Sequence, residues 1–184
     1  MLKNLNQLRK ELENYLNRHY IKDSNEENTQ IINEKLIQNS NLIERTKAAD
    51  DSERSILDLE EMLNEIGESF QEMLFRKIEE RGMTYLEVYK RAGLDRRLSS
   101  KIRSNPAYHP SKTIVLQLAI SLRLSMKETE ELLSTAEYAF SANNRRDIII
   151  QFFIEKGIYD FDTINICLYE YGQPLLADPK TRGV

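Results

Sequence analysis

One four-residue signal occurs three times in this chain and constrains its fold more than any other feature. Ser69-Phe70-Gln71-Glu72, Thr84-Tyr85-Leu86-Glu87 and Ser125-Met126-Lys127-Glu128 each place a hydroxyl residue three positions before a glutamate. That is a capping box: the hydroxyl oxygen accepts an early N–H of a helix, and the glutamate accepts the N–H of the cap. Apolar residues then recur at spacings of three and four, the period of one buried helical face. They are Phe70, Met73, Leu74 and Ile78 after the first box, and Leu132, Leu133 and Ala136 after the third. Gly82 ends the first of these helices, and Gly93 follows Ala92 as a left-handed cap on the second. Six glycines and four prolines in 184 residues leave few places where a helix is forbidden.

The same grammar extends in both directions. Asp95 can cap a helix running through Arg103, stopped by Asn105-Pro106. Pro110-Ser111 opens another, with Ile114, Val115, Leu118, Ala119 and Leu122 facing inward. A loop at 137–144 keeps Tyr138 and Phe140 and is expected to pack down. Ile148, Ile149, Phe152 and Phe153 form the next helical face, closed by Gly157. Phe161, Ile164, Leu168 and Tyr171 form the last, closed by Gly172-Gln173-Pro174. Toward the N-terminus, Leu2, Leu5, Leu8, Leu12, Tyr15 and Leu16 make one stripe on a helix of about four turns. Asp23 to Asn28 reads as a polar linker, and two further helices are expected over 31–43 and 56–66. The expected fold is all-α: N-terminal amphipathic helices in residues 1–66, a compact helical domain over 67–176, and a flexible tail at 177–184. Residues 1–66 have three open roles: dimerisation, binding a protein partner, or packing against the rest.

Charge is segregated along the chain. The net charge is −4, but residues 69–113 carry ten Lys/Arg against five Asp/Glu, a net of +5. Residues 1–68 have a net of −6, and residues 114–184 a net of −3. Screening confines each charge's reach to ~8–10 Å, so a basic centre can attract phosphate despite acidic flanks. The acidic N-terminus could also lie over the basic centre and inhibit binding there. The single cysteine, Cys167, sits in an apolar run and reads as a buried structural thiol, which suits a reducing cytoplasm. No export leader or membrane span is expected. His19 and His109 have no metal-ligand spacing to each other or to Cys167. No glycine-rich phosphate loop or nucleophile elbow occurs. Glu60-Glu61 and Glu130-Glu131 read as solvated helical faces. No cofactor, metal or enzymatic activity is expected.

Function is written most clearly in the middle. Two short helices, Thr84–Ala92 and Arg96–Arg103, are joined by Gly93-Leu94-Asp95. A three-residue turn with glycine between short helices is the helix-turn-helix pattern. The stretch Met83 to Ile102, continued through Pro110 into Leu116-Gln117-Leu118-Ala119-Ile120-Ser121-Leu122 and Leu132-Leu133, resembles the Cro/XRE family of bacterial and phage DNA-binding domains. The resemblance covers roughly residues 70–136 and implies a Cro/lambda-repressor-like domain that binds double-stranded DNA, often as a homodimer. Residues 137–176, the two extra C-terminal helices, resemble an extension of small bacterial mobile-element and phage-defence proteins, some fused to macro domains.

On the expected recognition helix, Leu98 and Ile102 face the core at a spacing of four, while Arg97, Lys101 and Ser104 share an exposed face with Arg96, Ser100 and Arg103 beside them. Guanidinium pairs with guanine O6/N7, serine reads either base edge, and lysine neutralises phosphate. Lys90, Arg91 and Lys112 would flank the strip as phosphate contacts. Three positions depart from the family: Tyr85 replaces a usual glutamine, Tyr89 a small residue, and Ser99 an apolar one. A large ring on one helix facing a small residue on the other implies an altered helix spacing. Those departures and the acidic net charge favour an alternative, a helical adaptor in a phage-defence or toxin system that docks protein instead of DNA. Whichever of Tyr85, Tyr89, Tyr108 and Tyr138 are exposed would be its hot spots. The loop pair Tyr108-His109 could touch the DNA backbone, but the reading expected for this loop aromatic is packing on its own domain.

Overall fold

The computed structural model describes residues 2–20 and 67–176. Among these residues there are eight helices and no strand: α1 (Leu2–His19), α2 (Phe70–Glu80), α3 (Tyr85–Ala92), α4 (Arg96–Ser104), α5 (Lys112–Ser121), α6 (Met126–Ser134), α7 (Arg145–Glu155) and α8 (Phe161–Glu170). The helices expected over 31–43 and 56–66, and the tail at 177–184, lie outside the described residues.

All three capping boxes form. Ser69, Thr84 and Ser125 each accept the N–H three residues on, and Glu72, Glu87 and Glu128 each accept the cap's own N–H. Asp95, Asn144 and Asp160 cap α4, α7 and α8 through side-chain oxygens, whereas Ser111 starts α5 with no side-chain cap.

Two helices form the centre. From Val115 to Ser121 every residue of α5 is buried, and α7 buries Asp147 to Ile150 and Phe152 to Ile154. A helix that is apolar nearly all round belongs inside a bundle, not on its surface. The inward face expected from periodicity was therefore too narrow: Leu116, Gln117, Ile120, Ile150 and Ile154 are buried as well. Ser121 satisfies its hydroxyl by donating to Gln117 O at 2.7 Å. Around this centre α3 and α6 pack on α5, α1 and α8 pack on α7, and α6 bridges α2 and α7.

Helix α1 belongs to the same compact unit as residues 68–176. Leu12, Tyr15 and Leu16 are buried in the common core. The Tyr15 ring meets Phe152 edge-on at 5.3 Å, and its hydroxyl donates to Glu155 at 2.9 Å. Lys156 pairs with Glu11 at 2.6 Å, and Arg9 holds the Glu170 carboxylate with two nitrogens. Of the roles open to the N-terminal helices, α1 takes the internal one.

The loop between α6 and α7 packs down as expected, with Tyr138 and Phe140 partly buried against the core. An ion pair fixes it. Asp147 is 2% exposed and accepts from the Ser141 N–H at 2.9 Å and from Lys112 Nζ. Lys112 also donates to Ala139 O at 2.6 Å. Nearby, Arg146 donates to Thr113 Oγ1 and to the carbonyls of Pro174 and Leu175. That clamp holds the segment after α8, whose Leu176 is buried and donates its N–H to Asn165.

Candidate functional site

The turn between α3 and α4 is built as its residues dictate. Gly93 has φ 69°, a conformation that strains residues with a Cβ. Its N–H donates to Lys90 O at 3.1 Å, and the Leu94 N–H donates to Tyr89 O at 3.0 Å. These two bonds make a Schellman motif and reverse the chain within three residues. Asp95 then accepts the Leu98 N–H at 2.8 Å and starts α4.

Helix α4 is held at few points. Ile102 is fully buried and Leu98 half-buried. From α2, Gln71 Nε2 donates to Ile102 O at 2.6 Å and to Arg103 O at 2.9 Å, which satisfies carbonyls at the C-terminal end of α4. No sequence signal pointed to Gln71, because its partners lie 31 and 32 residues away.

Arg96, Arg97, Ser100, Lys101, Arg103 and Ser104 are all exposed, as are Lys90 and Arg91 on α3. The structure divides them into two surfaces. Arg96, Ser100, Arg103 and Ser104 line a groove between α4 and α3, whose other wall is Tyr85, Leu86, Tyr89 and Lys90. Arg97 and Lys101 lie outside that groove. Lys101 Nζ sits 4.7 Å from the centre of the Tyr108 ring, and the Arg103 guanidinium 5.4 Å from that of Tyr85. Tyr108 is partly buried against the core, so it packs on its own domain.

Lys112 does not join this surface. Its ammonium is taken up by Asp147 and Ala139 O, away from α4. A lysine at a helix start reads as a solvated cation, and its role here depends on a carboxylate 35 residues further on. Arg123 adds a cation that sequence reasoning missed. It lines a depression of about 390 Å³ together with Lys90 and Arg91. It stands at the α5–α6 corner with φ 51°, and no local pattern ties it to α3.

The groove has a volume of about 860 Å³. It exists because α3 takes its closest packing from α5, not from α4. Tyr89 is 3% exposed, and Ser99 opposite is too small to fill the space beside it. The Ser99 hydroxyl turns back to donate to Asp95 O at 2.8 Å. Burial pushes the Tyr89 hydroxyl up to about 12, with the Arg103 charge opposing the shift.

The comparisons with known proteins return nothing. No family model, no curated protein and no solved structure matches this chain. Among the described residues, no group of three or more His, Cys, Asp or Glu could hold a metal ion. Among the same residues, no helix is long and apolar enough to cross a membrane. Cys167 is buried, and burial raises its thiol to about 11, far from the range of a reactive thiolate.

Proposed function

We propose that this protein binds double-stranded DNA through α4, as a regulator of the bacterial or phage helix-turn-helix kind. One observation carries the reading. Arg9, Arg76, Lys77, Arg81, Lys112 and Lys156 are each held by a carboxylate. Among the described residues, no carboxylate forms an ion pair with Arg96, Arg97, Lys101 or Arg103. Four cations on a nine-residue helix without such partners suit a phosphate backbone. In this reading Arg97 and Lys101 meet DNA first, Arg96, Ser100, Arg103 and Ser104 line the adjoining edge, and Lys90 and Arg91 flank them.

Fluorescence anisotropy of the full chain with random duplex DNA, at several salt concentrations, tests the proposal. Affinity is expected to fall steeply with log salt. Arg97→Ala/Lys101→Ala should reduce that slope by about 2, near 0.9 per lost phosphate contact. Absence of binding at low salt, or an unchanged slope, removes the DNA reading.

The second reading is a helical adaptor in a phage-defence or toxin system. It is favoured by the open groove and by Leu86 on its edge, which is 76% exposed. It predicts loss of a protein partner, not of DNA, when Leu86 becomes Asp.

A further inference from the structure

The groove between α3 and α4 differs from an ordinary gap in a helical bundle. Tyr89 forms part of its wall, yet its hydroxyl is buried and has no hydrogen-bond partner. Leaving such a group unsatisfied costs stability, and native proteins tolerate few. The hydroxyl remains an O–H donor at neutral pH and lies within the influence of the Arg103 charge.

The charge of the lining is one-sided. Lys90, Arg96 and Arg103 line the groove, and no carboxylate does. The same walls offer apolar surface at Leu86 and Leu94, and the hydroxyls of Ser100 and Ser104. A volume of about 860 Å³ lies within the ~300–1,000 Å³ of small-molecule sites.

We infer that this groove binds a small amphipathic anion, a phosphate or carboxylate carried on an aromatic or apolar body. The anion takes the Tyr89 O–H and the Arg103 guanidinium as converging donors, with Arg96 adding charge at the other end of α4. The body lies over Leu86, which is otherwise left to water, and over the outer side of Leu94, which is partly buried against the core. The Tyr89 oxygen is buried in the free protein, so its bond to the ligand requires the side chains of this wall to shift, Arg103 beside the Tyr85 ring among them. The occupant is small because the walls are short. Tyr85 to Lys90 spans about 7.5 Å of helix and Arg96 to Ser104 about 12 Å, at 1.5 Å per residue. The inference does not rest on DNA binding, although Arg96 and Arg103 would be shared by both surfaces.

Phenyl phosphate combines the two required chemistries. The ¹⁵N-labelled full chain is titrated with it by NMR in the absence of DNA, and separately with phenol and with inorganic phosphate. Saturable shifts are expected over residues 85–104, with phenyl phosphate binding at least tenfold tighter than either fragment. Arg103→Gln should weaken it about tenfold and Tyr89→Phe about fivefold, the loss of one hydrogen bond. Arg97→Gln, outside the groove, should leave it unchanged while lowering DNA affinity. Phenyl phosphate binding no tighter than inorganic phosphate overturns the inference, as do shifts that fall elsewhere. Wild-type affinity in both Arg103→Gln and Tyr89→Phe overturns it as well. If Arg103→Gln does not fold, Tyr89→Phe alone decides, because it removes one oxygen atom and leaves the packing intact.

Discussion

At the scale of single residues, two side chains have opposite electrostatic situations, and each yields a measurement. The Tyr89 hydroxyl is buried without a partner, so removing it should stabilise the free protein. Tyr89→Phe is expected to gain about 1 kcal/mol in urea unfolding; a loss of similar size would mean that the hydroxyl is bonded in solution. Glu128 is over-supplied with partners. Burial alone would raise its carboxyl, but the Ser125 N–H and hydroxyl, Arg81 and Lys77 lower it to about 2. Arg81 reaches both its oxygens at 2.8 Å, and Lys77 reaches one at 3.2 Å. A carboxylate depressed in the folded state stabilises above its unfolded value near ~4.3, and that contribution is lost as pH falls toward 2. Glu128→Gln should therefore cost about 1–2 kcal/mol at pH 7, the full shift being discounted for partial exposure, and most of that cost should be gone by pH 2, where the folded carboxyl is half protonated. A cost that persists undiminished at pH 2 would assign the effect to capping geometry rather than to charge. Only the capping half of Glu128 was legible in the sequence, because Ser125 is three residues away whereas Lys77 and Arg81 are 51 and 47.

At the scale of elements, the helices whose ends are locally specified were legible and those defined by burial were less so. The three capping boxes, the Asp95 cap and the Gly93 reversal are contained within a few residues, and each forms. Helices α5 and α7 show the opposite case. Each is surrounded by other helices, so its apolar residues do not confine themselves to one face, and periodicity underestimates what is buried. The gap between α3 and α4 was legible only as a mismatch of sizes, Tyr89 against Ser99; its volume and its cationic lining depend on where α5 draws α3. The placement of α4 should depend on the reversal at Gly93. Gly93→Ala places a Cβ on a residue at φ 69° and should cost about 1–2 kcal/mol. Because the turn sets the α3–α4 angle, the same variant should shift NMR resonances of groove residues more than those of α7 or α8. Shifts spread evenly over the domain would mean that the turn does not control the groove.

At the scale of the whole molecule, α1 decides how the chain is to be dissected. Its apolar stripe invited a dimerisation role, and the periodicity of one helix cannot say which surface it will cover. Leu12 is fully buried, Tyr15 and Leu16 nearly so, and the ring of Tyr15 reaches the central Phe152. Ion pairs to Glu170 and Lys156 at its rim tie it to both of the C-terminal helices. Those exposed pairs add little individually, about 0–1 kcal/mol each, so the apolar contact is what holds α1 in place. Leu12→Ala should then lower the stability of the entire domain by about 2–4 kcal/mol, the usual cost of emptying a leucine site in a packed core. The loss should appear in one cooperative transition by circular dichroism and by tyrosine fluorescence alike. An early transition confined to α1, with the remainder melting at the wild-type temperature, would show that α1 is an appendage. The same logic governs any test of the acidic segment after α1. A chain cut at residue 66 loses Leu12, Tyr15 and Leu16 from its core, so a change in DNA affinity would mix charge with unfolding. Replacing residues 22–66 by a Gly-Ser linker keeps α1 and isolates the charge, and a wild-type DNA affinity in that variant would exclude inhibition by the acidic segment.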